Sequence, residues 1–179
     1  MNKWLSILLL VFIAACGVVP EEKLAADGKP LPKLYDLATV DAATLQFRML
    51  DAVNALRSGA GLNQLTFNAK LTAAAATHSR DMALQNRPWH FGSDGSSPLD
   101  RAKRVGYEKQ FLGETISETY ESEILTLAAW IEDDATRFIL MDQGATEMGF
   151  SWFQEPNGKI WWTLVTGGPM LSARDVTAE

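Results

Sequence analysis

The chain of 179 residues contains a single cysteine, Cys16, and this limits what can hold its fold together. No second cysteine is left to form an intramolecular disulfide, so any globular part must be stabilised by the packing of its core. Hydrophobic residues make up 47% of the chain and include 6 tryptophans, which is enough apolar material for a core. The length favours one domain over two.

The N-terminus has the layout of a cleaved export signal. Lys3 precedes an apolar segment, residues 4–12, which is shorter than the roughly 20 residues that a membrane-spanning helix needs. The segment ends in Ile13-Ala14-Ala15-Cys16, which resembles the lipobox of bacterial lipoproteins. The resemblance implies attachment of diacylglycerol to the Cys16 thiol, cleavage before Cys16 and N-acylation, for example with palmitate. The alternative is a signal anchor that contains a cysteine by chance.

These features predict the organisation of the chain. We expect a signal peptide over residues 1–15, a lipidated cysteine and flexible spacer over 16–42, a globular domain over 43–168 and a C-terminal tail over 169–179. The spacer is predicted because it contains prolines and glycines and lacks an amphipathic period. The expected location is extracytoplasmic and membrane-anchored. In a host with two membranes, Gly17 after the cysteine favours the outer membrane or the periplasmic face.

The charge of the chain restricts its partners. The formal net charge is -6 at pH 7, and no block of lysine or arginine is present. Nucleic acid is therefore excluded as an expected partner, because phosphate contacts dominate such binding. The acidic surface also disfavours adhesion to anionic lipid head groups. We expect contact with the membrane to be made through the lipid on Cys16.

The hydrophobic pattern predicts helices first and antiparallel strands last, which indicates an α+β sandwich and not a parallel βαβ fold. The predicted segments are helices over 44–58, 69–85 and 122–132, a short helix opened by Ser97-Pro98, a strand over 111–119, and a hairpin whose strands include 148–152 and 160–166. Asp41, Asn68 and Ser97 are predicted helix caps. Leu56, Ile124 and Ala128 are predicted on buried helix faces. Trp161 and Trp162 are interpreted as core residues on opposite faces of one sheet.

An ordered series of motifs resembles one family, the CAP superfamily of cysteine-rich secretory proteins, antigen 5 and plant pathogenesis-related proteins, and most closely its disulfide-free bacterial members. The series begins with Asn54-Ala55-Leu56-Arg57, Leu65 and Phe67, Leu71, and His78-Ser79-Arg80-Asp81-Met82. It continues with residues 90–98 (HFGSDGSSP), Asp100-Arg101, Gly106-Tyr107 and Gly113-Glu114-Thr115-Ile116. It ends with Trp130, Arg137 and Thr146-Glu147-Met148-Gly149. The resemblance implies a three-layer α-β-α sandwich with a central antiparallel sheet.

The resemblance also implies a cleft that gathers two histidines and two acidic residues, a set that binds a divalent metal in some members. His90 matches the first histidine, and Glu114 matches the glutamate of the Gly-Glu-Asn motif, whose asparagine is Thr115 here. The slot of the second histidine holds Thr136. The second acidic position falls near Asp133, with Glu132 and Asp134 beside it as alternatives. The expected ligand cleft is therefore His90, Glu114, Asp133 and Thr136.

The incomplete set of residues weakens the case for a metal. A threonine hydroxyl is a poor ligand at neutral pH, so no cofactor is expected, and a weakly bound divalent cation on His90 and Glu114 is the alternative. A zinc-type catalytic site is not expected. His78 lies on the apolar face of its helix, where a core histidine hydrogen-bonded to backbone is the expected role. His90 and Glu114 could equally form a buried polar pair that locks the loop after Pro88.

Two functional hypotheses remain open. The first is a non-catalytic binding module at the cell envelope, with a lipid, a glycan or a protein as the ligand. A lipid or cell-wall ligand is the first expectation, by resemblance alone. The second is an envelope hydrolase that uses His90 and Glu114 as catalytic candidates, with or without a metal. No Gly-x-Ser-x-Gly sequence surrounds Ser93, Ser96 or Ser97, so a serine nucleophile is not predicted.

Overall fold

A computed structural model describes residues 35–170, and Cys16, the signal segment and most of the spacer lie outside the described residues. A short 3-10 helix spans Leu37–Thr39. The elements that follow are α1 (Ala42–Gly59), β1 (Thr66–Phe67), α2 (Ala69–Gln85), α3 (Pro98–Arg104), β2 (Gln110–Thr119), α4 (Glu123–Glu132), α5 (Asp134–Leu140), β3 (Glu147–Gln154) and β4 (Ile160–Gly168). No helix within residues 35–170 combines the length and the apolar character that crossing a bilayer requires.

The strands form one sheet in the order β1-β3-β4-β2. The pairs β3–β4 and β2–β4 are antiparallel, which confirms the predicted hairpin and α+β class. The sheet is mixed, because the short β1 at its edge pairs with β3 in parallel through Thr66↔Glu147 and Phe67↔Met148. This pairing was not predicted, since β1 has only 2 residues and its partner lies far along the chain.

The sheet has a helical layer on each face. Strand residues alternate between the faces, and Trp162 and Leu164 join the core made with α1 and α4. Val165 packs instead with Leu71 and Ala75 of α2. Trp161 and Trp162 are both 0% exposed, so the interpretation of core residues on opposite faces is confirmed.

The predicted caps are confirmed. Asp41 Oδ2 accepts from the Thr44 N–H at 2.9 Å, and Asn68 Oδ1 accepts from the Lys70 N–H at 2.9 Å. Ser97 and Asp100 form a reciprocal capping box at the start of α3. Each cap satisfies a helix N–H that has no partner inside the helix.

In α1, Leu45, Met49 and Val53 are buried, but the predicted burial of Leu56 is wrong. Leu56 is 39% exposed, whereas Arg57 beside it is fully buried. The Arg57 guanidinium donates to the carbonyls of Asn63, Leu140, Asp142 and Ala145, which compensates its burial.

In α4 the predicted buried residues Ile124 and Ala128 are exposed. Leu127, predicted on the same face, is buried as expected. Trp130 is buried as well, and its indole donates to Ser117 Oγ at 2.8 Å. The rotation of α4 is therefore fixed by one tryptophan whose N–H reaches β2.

The domain begins earlier than the predicted boundary at residue 43. Leu37 is 5% exposed and its N–H donates to Gln154 Oε1 at 2.9 Å. The Tyr35 hydroxyl donates to Glu123 Oε2 at 2.7 Å. Residues 35–42, assigned to the spacer from composition, thus contact the domain, because Leu37 is buried in its core and the partly buried Tyr35 and Val40 pack against it.

Replacing Gly149 tests how closely α2 packs on the sheet. A Cβ atom at Gly149 would stand 2.1 Å from the Leu71 carbonyl carbon and 2.2 Å from the Thr72 nitrogen, and backbone atoms cannot turn aside. We expect Gly149→Ala to lower the free energy of unfolding by about 3 kcal/mol or more, as measured by urea unfolding. The control Gly59→Ala, with no atom within 4 Å, should change stability little. Equal stability of the two variants would contradict this packing.

Candidate functional site

The two residues predicted for the cleft, His90 and Glu114, are brought together. His90 Nδ1 lies 3.0 Å from Glu114 Oε1. Glu114 projects from β2 with only 2% of its side chain exposed, whereas the His90 side chain is 49% exposed. The pair therefore has a buried carboxylate and an accessible imidazole edge.

Arg101 is the third member of the site. It lies on α3 with 3% of its side chain exposed, and its Nη2 donates to Glu114 Oε2 at 2.8 Å and to Oε1 at 2.9 Å. Its Nη1 donates to the carbonyls of His90 at 3.0 Å and Ser96 at 3.1 Å. A buried carboxylate needs such a partner, because an unpaired charge in the interior is strongly destabilising.

His78 lies beneath the same cluster. Its Nε2 is 2.9 Å from the Trp89 carbonyl oxygen, and its side chain is 0% exposed, so the predicted core histidine bonded to backbone is confirmed. Nε2 is also 3.6 Å from Glu114 Oε1. Burial lowers the pKa of His78 below its ordinary value, against the opposing effect of Glu114, so the imidazole is neutral at pH 7. The Trp89 carbonyl can only accept, so the proton is placed on Nε2.

Sequence reasoning did not place Arg101 or His78 in this cluster. Arg101 was predicted only as part of the Asp100-Arg101 motif. No local signal marks it as buried, because α3 has 7 residues, too few to show a helix period. His78 was correctly placed in the core, but nothing local to α2 indicates which strand residue it faces.

The loop that carries His90 is fixed along its backbone. The carbonyls of Trp89, His90 and Phe91 accept in turn from His78, from Arg101, and from Gln85 Nε2 at 3.2 Å. Farther along, Asp81 of α2 accepts from the Ser93 N–H at 2.7 Å and from the Ser93 hydroxyl at 2.6 Å. Side chains from α2 and α3 therefore hold this loop in place, although the loop has no regular secondary structure of its own.

Asp133 and Thr136, the other predicted cleft residues, take part in different contacts. Asp133 caps α5 by accepting from the backbone of Ala135 and Thr136, and the Thr136 hydrogen bond lowers its pKa. The Thr136 hydroxyl donates to the Trp130 carbonyl. Among residues 35–170, no hydrogen bond or ion pair joins either residue to His90 or Glu114.

The residues present do not fit a divalent cation. Within the described part of the chain, no group of three His, Cys, Asp or Glu side chains is arranged to hold a metal ion. Glu114, the only carboxylate bonded to His90 here, already binds the Arg101 guanidinium through both oxygens. A cation on Glu114 would have to stand beside that positive charge, which opposes its binding.

The hydrogen bond of His90 follows from its partner. The Glu114 carboxylate is paired with Arg101 and can only accept, so His90 donates to it through Nδ1. Nε2 is the ring nitrogen that is not bonded to Glu114. The arrangement can fix a ligand hydroxyl or amide at His90, while the carboxylate itself is withdrawn from solvent.

Comparison with known proteins identifies the family of the chain. The family model described as "CAP: Cysteine-rich secretory protein family" matches residues 50–166. The chain belongs to this family, although it contains 1 cysteine in all. No curated protein matches the chain significantly.

Solved structures share the fold. An outer surface protein from Borrelia burgdorferi superposes with a TM-score of 0.67 at 15% identity, over 73% of this chain and 96% of that one. An extracellular protein containing an SCP domain from Bacillus anthracis gives 0.66 at 20% identity, over 82% of this chain and 44% of that one. A cysteine-rich secretory protein from Staphylococcus aureus gives 0.59 at 13% identity, over 72% and 40%. This chain thus spans under half of the latter two proteins.

The ion pair in this site has a measurable contribution to stability. In Arg101→Met the buried Glu114 carboxylate loses its partner, so we expect the free energy of unfolding to fall by about 3–5 kcal/mol. Adding Glu114→Gln should restore part of the loss, because the uncompensated charge is removed. Chemical denaturation measures both. The matched control is Arg104→Met on the same helix, where the ion pair with Asp94 is exposed and little change is expected. Similar losses in Arg101→Met and Arg104→Met would refute the assignment.

Proposed function

We propose that this protein is an extracytoplasmic, non-catalytic binding module at the cell envelope, held to the membrane through a lipid on Cys16. Its ligand, a lipid, a glycan or a protein component of the envelope, contacts the exposed rim of the His90–Glu114–Arg101 cluster. The observation that carries the proposal is the double hydrogen bond from Arg101 to Glu114.

The environment of Glu114 favours binding over catalysis. A general base must reach the proton that it removes from the substrate. Glu114 is 2% exposed at its side chain and accepts from both Arg101 and His90, so no oxygen is directed to an incoming substrate. The Thr136 hydroxyl, in the slot of the second histidine, donates to a backbone carbonyl.

Other observations support the location. The apolar segment before Ile13-Ala14-Ala15-Cys16 has the order of a lipoprotein export signal. The structural relatives are described as an outer surface protein and an extracellular protein. An envelope protein of this kind meets glycans, lipids and other envelope proteins on the outer side of the cytoplasmic membrane.

One observation favours the alternative of an envelope hydrolase. His90 is half exposed, and Glu114 binds its Nδ1, which leaves Nε2 as the ring nitrogen that is not bonded to Glu114. In that case His90 would be the base and Glu114 the orienting carboxylate. Both hypotheses require the same pair of residues, so the fate of the bound molecule must distinguish them.

Capture of envelope components tests the proposed function. The full chain, purified from the membranes of a bacterial expression host, is immobilised and incubated with lipid, glycan and protein fractions of the envelope. We expect mass spectrometry to find a component that wild type retains, that His90→Ala loses, and that is recovered chemically unchanged. Arg104→Met serves as the matched surface control and should retain it.

Three other results of this experiment would each contradict one part of the proposal. Recovery of a cleaved component, with cleavage abolished in both His90→Ala and Glu114→Ala, would establish the hydrolase. Retention of the same components by wild type and His90→Ala would overturn the proposed site. Absence of a mass increase at Cys16 in the purified chain would overturn the lipid anchor alone.

A further inference from the structure

The residues on either side of His90 form a surface that takes no part in the hydrogen bond between His90 and Glu114. Phe91 is 48% exposed. Its ring centroid lies 5.6 Å from that of half-buried Trp89, with the ring planes tilted by 53°. The Arg87 guanidinium lies over the Trp89 ring, 4.0 Å from its centroid. We call Arg87, Trp89 and Phe91 the aromatic ledge.

The aromatic ledge is held in a fixed orientation. The Trp89 indole N–H donates to Gln85 Oε1 at 2.7 Å, and Nε2 of the same glutamine donates to the Phe91 carbonyl. His78 and Arg101 bind the carbonyls of Trp89 and His90 from below. A surface whose backbone is already ordered loses little conformational entropy when it binds a ligand. The exposure of Phe91 is thus built into the fold.

The chemistry of the ledge matches the ring of a sugar. The face of an aromatic ring is negative, so it attracts the partly positive C–H groups on the flat side of a pyranose. Sugar hydroxyls also need donors and acceptors at the edges of the ring. Arg87 supplies N–H donors, and His90 supplies its second ring nitrogen, Nε2, since Nδ1 is bound to Glu114.

Other ligand classes fit the ledge less well. Sites for apolar small molecules enclose most of the ligand surface, whereas Phe91 and His90 stand half exposed at the surface. A stable protein interface buries about 800 Å² on each partner, and the ledge is followed at once by the exposed polar residues Ser93 and Asp94. A chain of net charge -6 does not attract a nucleic acid whose bases could stack there.

We propose that the aromatic ledge binds a sugar ring, so that the ligand of the His90 site is a glycan of the cell envelope. The inference rests on the proposed function, since it names the class of ligand that the same site takes. Phe91 provides the stacking face, and Arg87 and His90 contact the hydroxyl or N-acetyl groups of the sugar. Trp89 supports Phe91 and positions Arg87.

Titration with two defined probes tests the ledge. The full chain, kept in detergent, is titrated with chitotetraose and with soluble glycan strands released from purified peptidoglycan, and binding is followed by calorimetry. We expect at least one probe to bind, and Phe91→Ala to weaken its binding by about tenfold or more through loss of the stacking face. Phe91→Trp should keep the affinity, because the aromatic face remains.

The matched control is Phe138→Ala. Phe138 is 74% exposed on α5, in the opposite helical layer, and the variant should bind the glycan as wild type does. Unfolding curves show whether each variant keeps the fold. We expect Phe91→Ala to keep it, because Phe91 is exposed. A Phe91→Ala variant that is folded and binds the glycan with wild-type affinity would overturn the proposal, as would failure of both probes to bind.

The experiment separates this inference from the proposed function. If the envelope component retained by wild type and lost by His90→Ala is a lipid or a protein, the site binds a ligand and the glycan assignment is wrong. If no component depends on His90, the proposed function fails. A glycan that is retained by wild type and lost by both His90→Ala and Phe91→Ala supports both.

Discussion

The Arg101–Glu114 ion pair is the contact on which the site and its surroundings depend. Glu114 lies in β2 of the central sheet, and only 2% of its side chain is exposed. Its charge is compatible with that position because the planar guanidinium of Arg101 donates to both carboxylate oxygens. The pair joins a strand of the sheet to α3, and through Nη1 of Arg101 it also fixes the carbonyls of His90 and Ser96.

The same contacts that order the loop bury Glu114 and engage both of its carboxylate oxygens. A carboxylate that already accepts from a buried arginine and a histidine has little capacity left for a substrate or a metal ion. The exposed edge of His90 and the aromatic ledge beside it are the parts of the site that remain available. The buried ion pair orders the loop, and the exposed residues at the rim are left to contact a ligand. This is why we favour binding over catalysis.

Local sequence signals predicted much of the fold. The caps at Asp41, Asn68 and Ser97 depend on residues three or fewer positions away, and the structure confirms them. The predicted hairpin with strands that include residues 148–152 and 160–166 also depends on local signals, and the structure confirms it as β3 and β4. The motif series containing His90 and Glu114 predicted the family, and these two residues do meet.

The errors arise where distant parts of the chain decide the outcome. Arg57 is buried because carbonyls from as far away as Ala145 surround its guanidinium, which the helix period of α1 cannot show. The parallel pairing of β1 and the packing of Leu37 against the core likewise depend on strands near the end of the chain. Arg101 and His78 were missed as site residues because only the folded sheet brings α2, α3 and β2 to one point.

The most direct test of whether buried side chains fix the loop that carries His90 is a measurement of its backbone mobility. Nitrogen-15 relaxation of the amides of His90, Phe91, Gly92 and Ser93 reports their order parameters on the picosecond-to-nanosecond timescale. If side chains from α2, α3 and β2 fix this loop, the values should be about 0.85, equal to those of β2 and β4. Order parameters below about 0.6 in the folded protein would contradict the account, because the loop would then be mobile despite the Arg101–Glu114 pair.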